Sequence, residues 1–308
     1  MNDKPFMTHD ELIKTLESRG VLFKDSRDRG YAKKYLQRIG YYTLINGYSA
    51  LFQSEKDIYI QGTTVNEIVA LYTFDQKLRE ILLQCILPLE TNIKSLVAYY
   101  FPQHHKETNY LNYTNFDTER KDASKNITAL ISDIQRQISS RVTDPCISHY
   151  LKKYGYIPLW VLTNILTLGS ISKFYSLMKQ DERQEIAKTF NLEDKELEST
   201  LTYISSVRNF CAHGNRLYCY RSRRPLCDTY LHASMNIQRS DTGEYEKGKR
   251  DLFAVMIIFK LMLSQSDFRT CVSKIESAIN HLCAKLHVID STAVLNSLGF
   301  PQNWKDLL

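Results

Sequence analysis

A helical pattern running from Thr64 to about Tyr100 constrains the fold more than any other stretch. Thr64-Val-Asn-Glu67 has the Thr-x-x-Glu spacing of a capping box, in which hydroxyl and carboxylate each satisfy a backbone N–H at a helix start. Behind it Ile68, Leu71, Tyr72, Leu78, Leu82 and Cys85 recur at helical steps and mark one buried face. Pro88 has no amide hydrogen to give the preceding turn, so a kink is expected near the middle. Glu90 falls in apolar surroundings two residues later. If buried it needs a partner, and Arg208 of a later helix is the candidate; at the surface it needs none.

The remaining chain reads as further helices gathered on this one, so the expected fold class is all-α. Thr8-His-Asp-Glu11 is a second capping box, opening a short helix that ends at Gly20. Asp25 to Ile39 reads as a basic helix closed by Gly40. Tyr41 to Phe52 is aromatic and helical, with Gly47 allowing close packing, and Ile58-Tyr-Ile60 suits a short strand. Pro102 to Asn115 reads as a loop containing His104-His105. Helices are then expected over Asp117–Arg141, Pro145–Tyr154, Leu159–Met178 (one apolar core helix), Asp181–Phe190, and from Glu193 onward. From Tyr218 to Gly248 no periodicity is sustained, and a long loop, partly hairpin, is expected over the site. Two helices, Asp251–Leu263 and Thr270–Leu286, follow, and Thr292–Leu298 begins a short tail that Gly299-Phe-Pro301 ends, with Trp304 free to dock. The division is therefore an N-terminal helical appendage (residues 1–63), a helical core (64–218), and a basic loop with C-terminal helices (219–308).

Chemistry concentrates in Ser206-Val-Arg208-Asn209-Phe-Cys-Ala-His213-Gly-Asn-Arg216-Leu-Tyr218. Leu197, Leu201, Ile204, Arg208 and Cys211 fall on one helix face, apolar until Arg208 interrupts it. Gly214-Asn215 signals the C-cap, so His213 lies in the last turn, where the helix dipole favours positive charge. A guanidinium that offsets phosphoryl charge and an imidazole that moves a proton suit phosphodiester cleavage without a metal. At about 100° per residue Arg208 and His213 project roughly 140° apart, whereas Asn209 and His213 share a face. One helix does not readily close both on one phosphate, and two facing helices do. A composite site between protomers is the expectation; a histidine that merely caps its helix is the plain alternative.

The formal net charge is +6. Between Ser205 and Arg250 nine basic residues stand against four acidic ones, so nearly the whole surplus lies beside the motif and favours a polyanion partner. Arg216, Tyr218, Arg221, Arg223 and Arg224 are its candidate contacts, and the resemblance given below implies that this polyanion is RNA. Seven cysteines without a Cys-x-x-Cys pair read as free thiols in a reducing compartment. Cys211, Cys219 and Cys227 recur every eight residues and match no common zinc spacing, so neither metal nor cofactor is expected. No apolar run follows Met1, and Leu252–Phe259 is too short to span a bilayer, which together place the chain in the cytoplasm and off membranes.

Arg208-Asn-Phe-Cys-Ala-His213 resembles the signature of the HEPN ribonucleases, an arginine followed after four to six residues by a histidine. Lys4-Pro5-Phe6, Tyr35-Leu-Gln-Arg-Ile-Gly-Tyr-Tyr42 with Gly47-Tyr48, Leu71-Tyr-Thr-Phe-Asp-Gln-Lys-Leu-Arg79, Trp160-Val-Leu162 and Leu168-Gly-Ser-Ile-Ser-Lys-Phe-Tyr175 resemble, in order, the bacterial Abi (abortive infection, phage-resistance) family. The resemblance implies a HEPN-like helical bundle, a homodimer, and metal-independent RNA cleavage leaving a cyclic phosphate and a free 5′-hydroxyl. It implies a toxin-like role in phage defence, restrained in some members by an antitoxin that is a small structured non-coding RNA. Carried onto this sequence, Arg208 holds the scissile phosphate, His213 handles the proton, Asn209 is their polar neighbour and Glu90 is an accessory acid. Gly214 stands where a second histidine is common, and Pro88 where an arginine is. A non-catalytic RNA-binding module and a structural subunit of a larger defence assembly are the alternatives the same residues allow.

Overall fold

The computed structural model describes residues 6–106 and 109–308; Lys4 and Pro5 of the first family-like stretch lie outside them. α1 (His9–Ser18) and α2 (Ser26–Ile39) start where the sequence places them: Thr8 and Glu11 close the capping box, and Asp25 caps α2 by accepting from the amides of Arg27 and Asp28. Gly40, at φ 86°, ends α2 in a region that a side chain disfavours. The aromatic stretch after it is looser and then tighter than an α-helix, a π-turn over Tyr42–Asn46 and a 3-10 turn over Ala50–Phe52. A small antiparallel hairpin pairs β1 (Gln53–Glu55) with β2 (Ile58–Tyr59).

α3 (Val65–His104) is the axis of the molecule. Its capping box is present, and Glu67 does double duty. One carboxylate oxygen accepts from the Thr64 amide at 3.0 Å, the other from the amides of His287 and Val288 at 2.7 and 3.1 Å. The helix is continuous through Pro88 and runs past Pro102 to His104, so the loop expected from residue 102 begins later. His104 and His105 are fixed by non-local carboxylates, Glu185 at 3.1 Å and Glu182 at 2.6 Å, which hold this end of α3 to a later helix.

α4 (Ala123–Ser140) buries Ile127, Leu130 and Ile134, and α5 (Pro145–Tyr154) starts on its proline and ends at Gly155. The apolar run expected as one helix is two, α6 (Leu159–Ile165) and α7 (Leu168–Leu177). Thr167 breaks it: in extended backbone its hydroxyl accepts from the Ser170 amide at 3.1 Å and caps α7, a local bond that outweighs the apolar pattern. α8 (Gln180–Lys188) and α9 (Asp194–Ala212) come next. The long segment beyond contains α10 (Tyr230–Ser234) and an antiparallel bridge between Arg239 and Tyr245, the expected hairpin. α11 (Leu252–Met262), α12 (Gln265–Cys283) and α13 (Ser291–Leu298) complete the chain, and Trp304 is buried against Phe300.

α3 packs against α2, α6, α7, α8, α9 and α12, so one core joins all three sequence regions, from Ile13 and Leu16 through Ile86 and Val207 to Ile275 and Leu298. The fold is essentially all-α. α3 is long and apolar enough to cross a bilayer by length and composition, yet it carries Glu67, Asp75, Arg79 and Glu90 buried inside the protein, as suits a core helix.

Candidate functional site

α9 starts at a capping box formed by Glu193 and Glu196, and Leu197, Leu201, Ile204, Val207 and Cys211 seat it on α3 and α7. Arg208 lies at the edge of that seat with 30% of its side chain exposed, and its Nε is 3.6 Å from Oε2 of Glu90 on α3. That separation exceeds a hydrogen bond, so the pair is an electrostatic hold. The other oxygen of Glu90 pairs with Lys94, one helical turn away, at 2.8 Å. Two cations thus share one buried carboxylate, and the trio carries a net +1. Nη1 of Arg208 reaches towards Oδ1 of Asn209 at 3.5 Å, leaving the outer edge of the guanidinium beside a polar amide.

His213 is the C-cap residue of α9 and is exposed; Gly214, at φ 68°, turns the chain out of the helix. The polar contacts of Arg208 are to Glu90 and Asn209 and not to His213. The divergence expected from helix periodicity therefore holds within one protomer: Arg208 lies towards α3 and His213 towards solvent.

The chain beyond the motif is clamped. Asp75, fully buried on α3, accepts from the amides of Leu217 at 2.9 Å and Tyr218 at 2.6 Å, from the Tyr48 hydroxyl at 2.8 Å, and from the Arg79 guanidinium. Arg79 also donates to the Asn215 carbonyl at 3.0 Å. Burial pushes the Asp75 carboxyl up from its ordinary value, and Arg79 opposes the shift. Arg216 donates to the carbonyls of Asn46 and Gly47 at 3.2 and 3.3 Å, and a side chain at Gly47 would meet Cδ of Arg216 at 3.3 Å. The close approach expected at Gly47 is this one.

The RNA contacts expected from the sequence fall into two groups. Tyr218 is buried, its hydroxyl donates to the Gly47 carbonyl at 3.2 Å and its ring lies 5.5 Å from Tyr48; it is a packing residue of the clamp, with no exposed ring for a base. Arg216 and Arg221 are exposed, but both spend donors on backbone carbonyls, Arg221 on Tyr220 and Ser297. Arg223 and Arg224 are exposed, and among the described residues no acidic side chain pairs with either. The cysteines scatter: Cys211 is buried, which pushes its thiol up to about 12, while Cys219 is exposed. Among the described residues no three His, Cys, Asp or Glu side chains gather as a metal site.

A family model described as Abi-like protein matches residues 34–219, more than half of the chain. The chain belongs to the Abi-like family. Membership associates it with abortive infection, the phage-defence response. The matched stretch of this Abi-like chain begins in α2 and ends one residue past Tyr218, so it takes in the π-turn, Asp75, Arg79, Glu90, the α9 motif and the clamp. Neither the curated proteins nor the solved structures gave a match. Two features of the Abi-like site are not anticipated from the sequence. Lys94 stands four residues after Glu90, a spacing that on a helix pairs opposite charges, and Asp75 and Arg79 repeat it one segment earlier. A charged pair at that spacing inside an apolar face is the signal that could have found them.

Proposed function

We propose that this Abi-like protein is a metal-independent endoribonuclease of the HEPN type, acting as a toxin-like effector of phage defence in the cytoplasm. The observation that carries the reading is Arg208, held by buried Glu90 at the end of α9 beside Asn209, one turn from an exposed His213. In the reaction the ribose 2′-hydroxyl loses its proton and attacks the adjacent phosphorus. The phosphorus–O5′ bond breaks, leaving a 2′,3′-cyclic phosphate, and the departing O5′ is protonated to a free hydroxyl. His213 serves in the proton transfers, and Arg208 offsets the charge that grows on the phosphoryl oxygens. The nucleophile belongs to the RNA, so DNA binds without being cut.

A homodimer supplies the second half of the cleft. Along the outer face of α3 beside Glu90 and Lys94, the exposed positions Leu87, Pro88, Thr91, Asn92, Ser95 and Tyr99 carry no charge. Leu87 and Tyr99 are 52% and 66% exposed, an apolar character suited to a second copy. A restraining antitoxin, a small structured RNA among the options, fits the same basic surroundings. The test is cleavage of RNA in EDTA by the wild type, Arg208→Ala and His213→Ala. Loss in both variants, with cyclic-phosphate ends from the wild type, is expected; equal cutting by all three rules the reading out.

A further inference from the structure

Two cavities of about 750 and 590 Å³ open along α9 and adjoin at Arg120, Glu198, Thr202 and Arg224, which line both, and we treat them together as a groove. Its cations come from four separate parts of the chain. Arg120 and Lys121 precede α4, Lys173 projects from α7, and Lys195 from the first turn of α9. Arg221, Arg223 and Arg224 close the far wall. Only Glu198 opposes them, and it is already bound in two-pronged fashion by Arg120 at 3.1 and 2.9 Å. Seven cations against one carboxylate leave +6, equal to the formal charge of the whole chain. Among the described residues Lys121, Lys173, Lys195, Arg223 and Arg224 pair with no acidic side chain. Buried cations outside the groove are matched, Arg79 by Asp75, Arg183 by Asp117 and Asp194, and Lys249 by Asp228; what sets the groove apart is that its unpaired cations share one concave surface. Unpaired cations gathered in a concave cleft repel one another, and an anion laid between them relieves the repulsion.

The groove also points somewhere. Lys195, Ser199, Thr202 and Ser206 line it at helical steps along the outer face of α9, and Asn209 and His213 continue that face. Eighteen residues at 1.5 Å make a track of roughly 27 Å from Lys195 to His213. Phe210, half-buried, and Tyr220 form an aromatic pair, 4.9 Å between centroids, at the end nearest the motif.

We infer that this groove is the binding track for a single-stranded RNA backbone, leading it along α9 to the cleavage residues. A single strand can bed its phosphates in a cleft and set a base against Phe210, whereas a duplex presents its phosphates on a convex surface. The inference rests on the ribonuclease reading for the destination of the strand but not for its path. Binding therefore tests it in the full-length protein by fluorescence anisotropy, with a labelled oligouridylate and a labelled RNA duplex of equal length, across a salt series. The background is His213→Ala, which prevents turnover. Adding Lys173→Ala and Arg224→Ala should flatten the slope of log affinity against log salt by about 1.4, at about 0.7 for each single-strand phosphate that no longer meets a cation. Both side chains are without acidic partners, and an unchanged melting temperature checks that the fold is intact. An unchanged slope, or tighter binding of the duplex than of the single strand, overturns the inference. Arg208→Ala separates the two readings: it should lose cleavage and keep groove binding. A wild type that binds single strands through the groove and never cuts them defeats the ribonuclease reading and leaves the track standing.

Discussion

Replacing Asp75 by alanine strikes the clamp that fixes the chain after His213. Alanine removes the acceptor for two buried backbone amides, Leu217 at 2.9 Å and Tyr218 at 2.6 Å, and for the Tyr48 hydroxyl at 2.8 Å. It also strips Arg79 of its carboxylate partner, leaving its hydrogen bond to the Asn215 carbonyl. An orphaned buried donor costs about 1–3 kcal/mol, and stripping one member from a buried ion pair about 3–5 kcal/mol. The two overlap, because water that enters to serve Arg79 also reaches the amides, so about 4 kcal/mol is the expected loss. At roughly 2 °C per kcal/mol for a chain of this size, the melting temperature should fall by about 8 °C. Calorimetry reads the fall, and hydrogen exchange at residues 215–219 should accelerate ahead of that in α9. Asp75→Asn keeps one acceptor oxygen and should lose about half as much. If Asp75→Ala melts within about 2 °C of the wild type, these hydrogen bonds do not hold the segment and the clamp is wrong.

Glu90→Gln leaves Arg208 and Lys94 facing each other without a countercharge. Stability should drop by about 1–2 kcal/mol, and RNA cleavage, measured as single-turnover rate, by roughly tenfold as the guanidinium loses its hold; unchanged turnover would remove Glu90 from the site. His232 is fully buried, accepting from the Thr229 amide and facing the Gly248 carbonyl, and burial holds its imidazole below the ordinary 6.5. The unfolded chain therefore takes up a proton near pH 6.5 that the folded chain refuses. This histidine's contribution is complete above that pH and falls as pH drops, by at most about 1.4 kcal/mol per unit. The stability advantage of the wild type over His232→Gln should shrink between neutral pH and about pH 5, and a constant difference would contradict the assignment.

Elements with local signals are legible in the sequence. Thr8, Thr64, Asp25 and Pro145 start helices as their capping chemistry dictates, and Gly40 and Gly155 end them. The break at Thr167 is hidden because an apolar run looks the same whether it is one helix or two, and what decides is the Thr167 hydroxyl cap together with a distant acceptor, Gln137, for its amide. The candidate site divides in the same way. The edge position of Arg208, the exposure of His213 and the Glu90 contact are consistent with helix spacing. The clamp is not legible there, since Asp75 meets Leu217 and Tyr218 across 142 and 143 residues, and nothing near Tyr218 distinguishes a ring that packs from one that stacks on a base. Arg216 hides its role for the same reason: its partners, Asn46 and Gly47, lie 170 and 169 residues away.

On the proposed reading Arg208 and His213, which diverge by roughly 140° on α9, meet in a cleft between two protomers, with Arg208 from one and His213 from the other. The most direct measurement mixes the two inactive variants, Arg208→Ala and His213→Ala, after unfolding and refolding together, and assays RNA cleavage in EDTA. A mixed dimer has one intact cleft and about half of the dimers are mixed, so activity should return to about a quarter of the wild-type level. A mixture as inactive as its components, from variants shown to co-assemble, would contradict a cleft shared between two copies of the chain.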